Sequence, residues 1–497
     1  MSVLPFVRNL PYLCIFLCMI AAILLSLGPR AKRAYGATLC VCAVCAAASL
    51  VFLVHIARGG EAFAFPMGKF PAPFGNEIKG GPLQGLFATV FSVVMCLCLL
   101  GGKTELFEDA DEKKTGLAGV MLCMVLASLL VMVYTNDIFT AYVFIEIGTI
   151  AACALVMLKD SGPTLAATVR YLFLSLLGSG MFLFGLVLLY AVTGHLLMPQ
   201  LTEALAALMG NAAERPVLAL SLALMTAGLG VKSAMFPFHR WLPDAHSSAT
   251  TAASAVLSGL VVKGYAVLLM VLYVRVFTLD AVRSLHVSDA VFVLGFAGML
   301  LGSVRALGET HVKRMLAWST VAQVGYIFMG VGLGTAEGVA AACFQILIHA
   351  FAKPLLFVSA GRLSAAANHE KQLAALRGSA WRAPLAGLGF GIGALSMVGI
   401  PLFGGFAAKA GLALGALDGG FKVAAALGIL ALSSVLNALY YLPALIDLWS
   451  DPPAQAKRLA PDPACSAAIL LLAAGVLTLG LCFSPVMDLI VRGLALL

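Results

Sequence analysis

The chain is dominated by long apolar runs that alternate with short polar or Gly/Pro-containing loops. A helix needs about twenty predominantly apolar residues to cross the hydrocarbon core of a bilayer. Hydrophobic residues make up 62% of the chain, charged residues make up 11%, and the mean hydropathy is +1.02, far from the values of soluble domains. The sequence therefore predicts an all-α polytopic membrane protein. Its fourteen predicted spans are 9–29, 36–57, 83–102, 115–134, 138–158, 165–193, 216–238, 251–275, 289–307, 314–333, 338–361, 383–415, 422–447 and 464–482.

Two of these spans contain helix-breaking residues. Pro237 and Pro243 follow the seventh apolar run closely, and Gly399-Ile-Pro401 with Gly404-Gly405 interrupts the twelfth span. Broken helices are tolerated at membrane depth only where the freed backbone groups meet protein or a water-filled cavity. The spans 165–193 and 383–415 exceed one crossing, so we expect a tilt in the first and a break in the second.

The order of the spans suggests an internal symmetry. Spans 4–8 and 9–13 form two five-helix units, and the odd number of crossings inverts the second unit relative to the first. Lys232 and Lys409 both fall in the fourth helix of their unit, a pattern that indicates a site near mid-depth. The predicted regions are 1–114 (spans 1–3), 115–275 (first unit), 289–447 (second unit) and 464–497 (last span and short tail), without a soluble domain.

Lysine and arginine are distributed unequally between the two sets of loops. Seventeen of them belong to the loops after odd-numbered spans, and nine lie on the other side. Because cytoplasmic loops carry the positive excess, the sequence predicts odd-numbered loops in the cytoplasm and both termini outside. The net charge of +8 fits this topology. Nucleic-acid binding is not expected, since no basic cluster coincides with a soluble domain.

The twelve cysteines give no strong metal signal, because nearly all of them lie inside apolar runs, where Cys behaves as a small hydrophobic residue. Cys42 and Cys45 have the spacing of a ligand pair, but no second pair accompanies them. His239 and His246 lack a third ligand at a recognisable spacing. We therefore expect no metal, no cofactor and no redox centre in this chain.

Five ionisable side chains lie deep inside predicted spans. A lysine at the bilayer centre costs about 2.5 to 3.5 kcal/mol on insertion scales, so such residues normally face protein or water and mark ion pathways. Burial favours the neutral form of both glutamate and lysine, whereas pairing favours the charged forms, so a Glu–Lys pair can exchange a proton when its separation changes. The alternative is a fixed ion pair that only sets helix register. The five residues are Glu146, Lys232, Lys263, Lys353 and Lys409.

His349 lies four residues before Lys353, on the same helical face, and Pro354 is expected to loosen the backbone after them. Imidazole can relay protons near neutral pH, although a histidine on an apolar face is often a hydrogen-bonded core residue. For Lys409 the alternative is a side chain that snorkels to the membrane surface.

Other polar residues are weaker candidates for an entrance or a proton wire, and helix capping or an interfacial position explains them equally well. Asp137 is predicted to cap a helix. The other candidates are Arg170, Tyr171, His311 to Arg314, Ser319, Gln323 and Tyr326.

Several motifs occur in order along the chain. They are Glu146, Lys232-Ser-Ala-Met-Phe-Pro-Phe-His-Arg-Trp-Leu-Pro-Asp-Ala-His246, Leu257-Ser-Gly with Lys263-Gly-Tyr265, Lys313-Arg-Met-Leu-Ala-Trp-Ser-Thr320, His349 to Lys353, and Gly399-Ile-Pro-Leu-Phe-Gly-Gly-Phe-Ala-Ala-Lys409. This order resembles the antiporter-type proton-translocating subunits of respiratory complex I, membrane-bound hydrogenases and Mrp-type sodium/proton antiporters. The likeness covers roughly residues 115–447. Phe70-Pro-Ala-Pro-Phe-Gly75 is similar to the Mrp and hydrogenase branch. Thr250, Arg170 and Pro354 depart from the usual pattern.

The resemblance implies a proton-translocating subunit of a multisubunit ion pump in the bacterial cytoplasmic (inner) membrane. The Glu146 and Lys232 pair, Lys263, the His349 and Lys353 pair, and Lys409 would then form a hydrated central axis. The expected partners are other membrane subunits, including further antiporter-like ones, the lipid bilayer and H⁺, and the choice between H⁺ alone and Na⁺/H⁺ exchange stays open. Any oxidoreductase activity would belong to the whole complex. A self-sufficient cation/proton antiporter and a non-pumping structural anchor remain alternatives.

Overall fold

The computed structural model describes residues 5–28, 30–67, 70, 75–109, 111–159, 161–450 and 458–497 of the 497-residue chain. These residues form twenty-two α-helices and one two-stranded hairpin. Thirteen of the helical segments they form are long and apolar enough to cross a membrane, which confirms the predicted fold class. Most of the Phe70–Gly75 motif, namely residues 71–74, lies outside the described residues.

The N-terminal region contains the first three spans, a short helix and the hairpin. The hairpin is antiparallel, with Phe63 opposite Gly80 and Pro66 opposite Glu77. The carboxylate of Asp111 accepts a hydrogen bond from the backbone N–H of Lys114 and thereby caps the fourth span. The elements are α1 (Pro5–Ser26), α2 (Ala31–Ala57), β1 (Phe63–Pro66), β2 (Glu77–Gly80), α3 (Pro82–Gly101), α4 (Lys103–Asp109) and α5 (Glu112–Tyr134).

The next region contains the interrupted seventh span. Helix α9 ends at Lys232, earlier than the predicted 238, because the backbone leaves the helix and Ala234 adopts a φ of +57°. A 3₁₀ turn at Phe238–Arg240 leads into α10. Two π-helical segments, Leu257–Val261 and Leu272–Val276, flank α12 within one continuous span. The helices are α6 (Ile138–Val156), α7 (Gly162–Thr193), α8 (Met198–Leu208), α9 (Arg215–Lys232), α10 (Trp241–Ser248), α11 (Thr251–Val256), α12 (Val262–Val271) and α13 (Leu279–Ser284).

The remaining region contains the second break, where the twelfth span consists of two half-helices, α18 and α19. Helix α16, by contrast, continues without interruption through Pro354. The loosening expected after Pro354 therefore does not interrupt the helix. The helices are α14 (Val287–Leu307), α15 (Val312–Gly332), α16 (Ala336–Ala366), α17 (Ser379–Arg382), α18 (Pro384–Val398), α19 (Gly404–Ala416), α20 (Val423–Leu448), α21 (Pro463–Leu481) and α22 (Phe483–Ala495).

Burial separates the central spans from the peripheral ones. The span Thr251–Val276 and helices α15 and α16 are almost entirely buried, whereas α7 exposes large apolar side chains such as Phe173 and Phe184. Because lipid is as apolar as these side chains, exposed apolar faces are expected on the perimeter of a membrane protein. These central helices carry three buried lysines, Lys263, Lys313 and Lys353.

Candidate functional site

The first polar group joins α6 to the end of α9. The ammonium of Lys232 donates hydrogen bonds to Thr149 Oγ1 (2.5 Å) and to Glu146 Oε1 (3.3 Å). Lys232 is only 2% exposed, whereas the Glu146 side chain is 23% exposed. The phenol of Tyr265 lies 3.3 Å from Thr149 Oγ1, and its ring lies under the Lys232 ammonium. The predicted Glu146–Lys232 pair therefore forms, within a hydroxyl-lined pocket.

The backbone around Lys232 is fixed by the helix that follows the break. The indole N–H of Trp241, in α10, donates a hydrogen bond to the carbonyl of Val231 (3.1 Å). Trp241 stacks on Tyr171 of α7, with ring centroids 4.1 Å apart. Because Val231 immediately precedes Lys232, a movement of α10 relative to α9 changes the position of the Lys232 ammonium.

The second group surrounds Lys263, which is fully buried just after the π-helical segment. Its ammonium donates to the carbonyl of Ser258 at 2.6 Å. The hydroxyl of Ser258 lies 2.8 Å from Thr320 Oγ1, and Thr320 donates to the carbonyl of Leu316 at 2.9 Å. Turns of π-helix often occur at functional sites.

A close helix contact holds this π-helical segment against α16. A Cβ added to Gly259 would lie 2.5 Å from Cγ of Pro354 and 3.3 Å from the carbonyl of Ala350. Only glycine permits this approach without a shift of α16. Pro354 therefore packs against the segment that carries the Lys263 acceptor, while α16 itself stays helical.

The third group surrounds Lys353, which is also fully buried. Its ammonium donates to the carbonyl of Leu316 (2.9 Å), to Ser319 Oγ (2.8 Å) and to the Tyr441 phenol (3.2 Å). The Leu316 carbonyl also accepts the hydrogen bond from Thr320. The hydroxyls of Ser258 and Thr320 thus lie between Lys263 and Lys353, and each lysine donates to a backbone carbonyl beside this pair.

His349 lies one turn before Lys353 and is fully buried. Neither ring nitrogen has a hydrogen-bond partner among the residues that the structure describes, so His349 is not bonded to Lys353. One turn before His349 in α16, the side chain of Gln345 donates a hydrogen bond to Gln323 of α15 at 2.7 Å. Buried polar atoms normally have partners, and ordered water supplies them where protein does not.

The fourth group lies at the second break. The ammonium of Lys409 donates to the carbonyl of Val398 (2.7 Å) and to Ser434 Oγ (2.9 Å), and it lies over the Tyr326 ring at 5.3 Å. Lys409 therefore points into the protein, which does not fit a side chain that snorkels to the surface. Gly399 ends α18 with a φ of +92°, and a Cβ there would lie 2.9 Å from Cδ of Lys409. Glycine thus allows both the turn and the approach of the lysine.

A family model described as NADH:quinone oxidoreductase/Mrp antiporter, TM, matches residues 135–436, which is more than half of the chain. The chain belongs to this family. It is 33% identical over 488 residues to NADH-quinone oxidoreductase subunit N of Desulforudis audaxviator, with 94% of each chain covered. Among solved structures, a chain of the archaeal membrane-bound sulfane sulfur reductase matches with a TM-score of 0.87 and 26% identity over 99% of this chain and 97% of that one. A chain of the Mrp complex from Dietzia sp. DQ12-45-1b shares the fold, with a TM-score of 0.85, 23% identity and 99% and 97% coverage.

The charged residues of this antiporter-family chain were predicted from the sequence, but several of their partners were not. Ser319, Gln323 and Tyr326 were weak candidates; Ser319 accepts from Lys353, Gln323 accepts from Gln345, and the Tyr326 ring lies under Lys409. Their neighbours on α20 were missed, because a single Asn, Ser or Tyr in an apolar run is a weaker signal than a charge. Asn437 accepts from Tyr440 (2.7 Å) and donates to the carbonyl of Met397 (3.2 Å). The other residues missed are Thr149, Ser434 and Tyr441, whereas Ser258 and Tyr265 were named only as members of a motif.

Other predicted residues lie outside the axis of this antiporter-like subunit. Arg170 and Arg314 form ion pairs with Asp244 of α10, and Arg314 also pairs with Glu309 (3.2 Å), which accepts from Trp318. This network attaches α10 to α7 and α15. The Asp137 carboxylate accepts from the backbone N–H of Thr140 and caps α6, as predicted.

The two histidines near the first break, His239 and His246, contact different neighbours. His239 stacks on Phe236, whereas His246 stacks on Phe357. Within the described ranges, no three or more His, Cys, Asp or Glu side chains form a group that could hold a metal ion. Cys18 and Cys45 approach to 3.6 Å between sulfur atoms in the N-terminal helices.

Proposed function

We propose that this chain conducts protons across the membrane as one subunit of a multisubunit ion-pumping complex. The observation that carries the proposal is the pair of hydrogen-bonded hydroxyls, of Ser258 and Thr320, that lies between two buried lysines, Lys263 and Lys353. Hydroxyls both donate and accept hydrogen bonds, so such a pair supports proton transfer. Each lysine donates to a backbone carbonyl beside the pair, so water is required to join the amines to the hydroxyls.

The proposed order of groups is the Glu146 and Lys232 pair, Lys263, the His349 and Lys353 pair, and Lys409. Separation of Lys232 from Glu146 favours the neutral amine, and the released proton passes to the next group along the axis. Moving one charge against 100 mV requires about 2.3 kcal/mol. Breaking a buried ion pair costs about 3 to 5 kcal/mol, so a change at one pair is sufficient to drive a transfer. Water is required between the Lys232 group and Lys263, because no hydrogen bond joins them within the described residues.

The energy for this movement is proposed to come from partner subunits. The name of the relative NADH-quinone oxidoreductase subunit N assigns that protein to an oxidoreductase complex. By analogy, we propose that this chain binds other membrane subunits, including further antiporter-like ones, and that any redox centre belongs to those partners. The carried ion is H⁺, and in an exchange reaction Na⁺ would move in the opposite direction.

The topology belongs to the same proposal. The excess of Lys and Arg in the odd-numbered loops supports both termini outside, in a bacterial inner membrane. The two breaks, at residues 233–237 and 399–403, support the division into inverted five-helix units at 115–275 and 289–447, between the regions 1–114 and 464–497.

The experiment that tests the proposal compares two kinds of vesicle. One holds the assembled complex supplied with its energy source, and the other holds this chain alone under an imposed sodium or proton gradient. We expect proton movement only in the first, because the Glu146–Lys232 pair needs a partner-driven displacement. Cation/proton exchange by the isolated chain at the same rate would instead establish the self-sufficient antiporter.

Substitution of Thr320 by valine tests the connection between the two central lysines. Valine keeps the shape but removes the hydroxyl that bonds to Ser258 and Leu316. A hydrogen bond contributes about 1 kcal/mol, so a transfer that depends on it is expected to slow about fivefold. Proton movement by the assembled complex is the measurement. Thr320→Ser retains the hydroxyl and serves as the control, and equal slowing in both variants would argue for a packing effect.

A further inference from the structure

A small cavity of about 130 Å³ lies between α16 near its end, the start of α18 and the start of α21. Residues 458–461, which precede α21, form part of its wall. The volume exceeds the roughly 10 to 15 Å³ that one water molecule needs, so the cavity can hold a small polar group. Among the residues that the structure describes, its charged lining consists of Arg362, Arg382, Arg458 and Asp462.

The three arginines of this cavity keep N–H donors for a ligand. Arg362 donates to the carbonyl of Ala460, and Arg382 donates to the carbonyl of Ala366 at 3.1 Å. The Nε–H of Arg382 is buried and has no partner within the described part of the chain. Arg458 is exposed at the rim. Because a guanidinium has five N–H donors, one bond to a carbonyl leaves the others available.

The one carboxylate in the described lining does not neutralise these arginines. Asp462 lies within electrostatic range of Arg362. Its oxygens, however, already accept hydrogen bonds from Thr104 Oγ1 (2.5 Å) and from the backbone N–H of Cys465 (3.0 Å). Three positive side chains beside one carboxylate leave an excess of positive charge, which favours an anion. Arginine binds phosphate through two parallel N–H···O bonds, so a phosphate group suits this lining.

Aromatic side chains place the cavity at the depth of the lipid headgroups. Trp381 directly precedes Arg382, is 44% exposed, and donates from its indole N–H to the carbonyl of Ser450 at 2.9 Å. Its ring packs edge-on against Trp449, with centroids 5.4 Å apart. Tryptophan is enriched at the boundary between membrane and water. Because α18 and α21 also begin at the cavity, the arginines lie where these two helices enter the bilayer.

The other side of the cavity is apolar and continues onto the lipid-facing surface. Leu385 of α18 and Ile469 of α21 line it. The two helices pack so closely that a Cβ added to Gly389 would lie 2.7 Å from Cγ2 of Ile469. Leu388 and Leu470, on the same helices, are 57% and 56% exposed. A free phosphate gains nothing from this surface, whereas a phospholipid can place an acyl chain on it.

We propose that this cavity binds the phosphate of an anionic phospholipid, with an acyl chain along the exposed apolar surface of α18 and α21. Arg362, Arg382 and Arg458 hold the phosphate, and the bound lipid joins α16 to the starts of α18 and α21. The site does not depend on the proposed proton conduction, because none of its residues belongs to the axis.

Lipid binding to the full chain, purified in a neutral detergent and measured by native mass spectrometry, tests the site. Arg382→Gln is expected to raise the dissociation constant of the tightest-bound phosphatidylglycerol at least tenfold, because it removes charged hydrogen bonds to the phosphate. Arg382→Lys keeps the charge but loses the paired donors, so its dissociation constant should lie in between. Arg377→Gln is the matched control, since Arg377 is exposed and does not line the cavity, and it should bind normally.

A second variant covers the case in which Arg382→Gln does not fold. Arg458 is exposed, so Arg458→Gln should fold normally and raise the dissociation constant about threefold, as expected for one exposed charge. If the folded variants at both positions bind phosphatidylglycerol as tightly as the unchanged protein, the site is overturned.

Two competitors distinguish a lipid from a soluble anion at this site. Phosphatidylcholine with the same acyl chains should bind at least tenfold more weakly than phosphatidylglycerol, because its headgroup has no net charge. Inorganic phosphate at the same concentration should not displace phosphatidylglycerol, because it has no acyl chain to bury. Displacement by inorganic phosphate would overturn the lipid in favour of a soluble anion. Equal binding of phosphatidylcholine would overturn the role of the arginines.

Discussion

Replacement of Lys232 by alanine is expected to reduce proton movement by the assembled complex about hundredfold or more, since a positioned proton-transfer group contributes about 10² to 10⁴ in rate. The substitution removes the amine that bonds to both Glu146 and Thr149. Glu146→Gln is expected to have a similar effect, because an amide cannot hold the proton or attract the lysine. The measurement is the initial rate of proton uptake into vesicles that hold the complex.

The double variant and a surface lysine make this test specific. If Lys232 and Glu146 act as one unit, the double variant should be no slower than either single variant. Lys113→Ala, at an exposed lysine, controls for loss of positive charge and should pump normally. If the complex assembled with Lys232→Ala pumped protons at the normal rate, the Glu146–Lys232 pair would have only a structural role. That result would favour the alternative in which this chain is a non-pumping membrane anchor.

Substitution of Lys353 has the second large expected effect. Lys353→Met should lower proton movement about hundredfold or more, for the same reason of a lost transfer group. Methionine fills similar volume, and replacement of a buried charge by an apolar side chain is often neutral for stability. Assembly is therefore expected to survive, although the Ser319 and Tyr441 hydroxyls lose their shared donor.

Arginine at the same position separates a proton carrier from a fixed charge. A guanidinium keeps its charge at all accessible pH values, so Lys353→Arg can replace the electrostatic role of the lysine but cannot release a proton. We expect Lys353→Arg to be as inactive as Lys353→Met. Pumping by the arginine variant at the normal rate would show that Lys353 acts only through its charge.

The sequence predicted the charged members of the site far better than their partners. Lys263 and Lys353 stand out because a charge inside an apolar run is costly and therefore rare. Thr320 and Tyr441 carry no such signal, since hydroxyls are common in membrane helices and only their position beside an amine makes them part of the axis. Pro354 is a similar case, since the expected loosening says nothing of where its ring packs. Its ring packs against Gly259 of another helix, and the local sequence does not show that contact.

What the amino-acid sequence determined by itself is the membrane-spanning class, the approximate limits of most spans, the two breaks and the burial of Lys232, Lys263 and Lys353. These follow from local rules, because apolar length, proline, glycine and an isolated charge each act within one segment. Only the tertiary structure decided which lysine meets which hydroxyl, and that Lys313 and Lys422, which the sequence places in a loop and at a span end, are buried. Glu105 and Lys313 are 208 residues apart in the chain, and the packing of separate helices alone brings their charges to 3.3 Å.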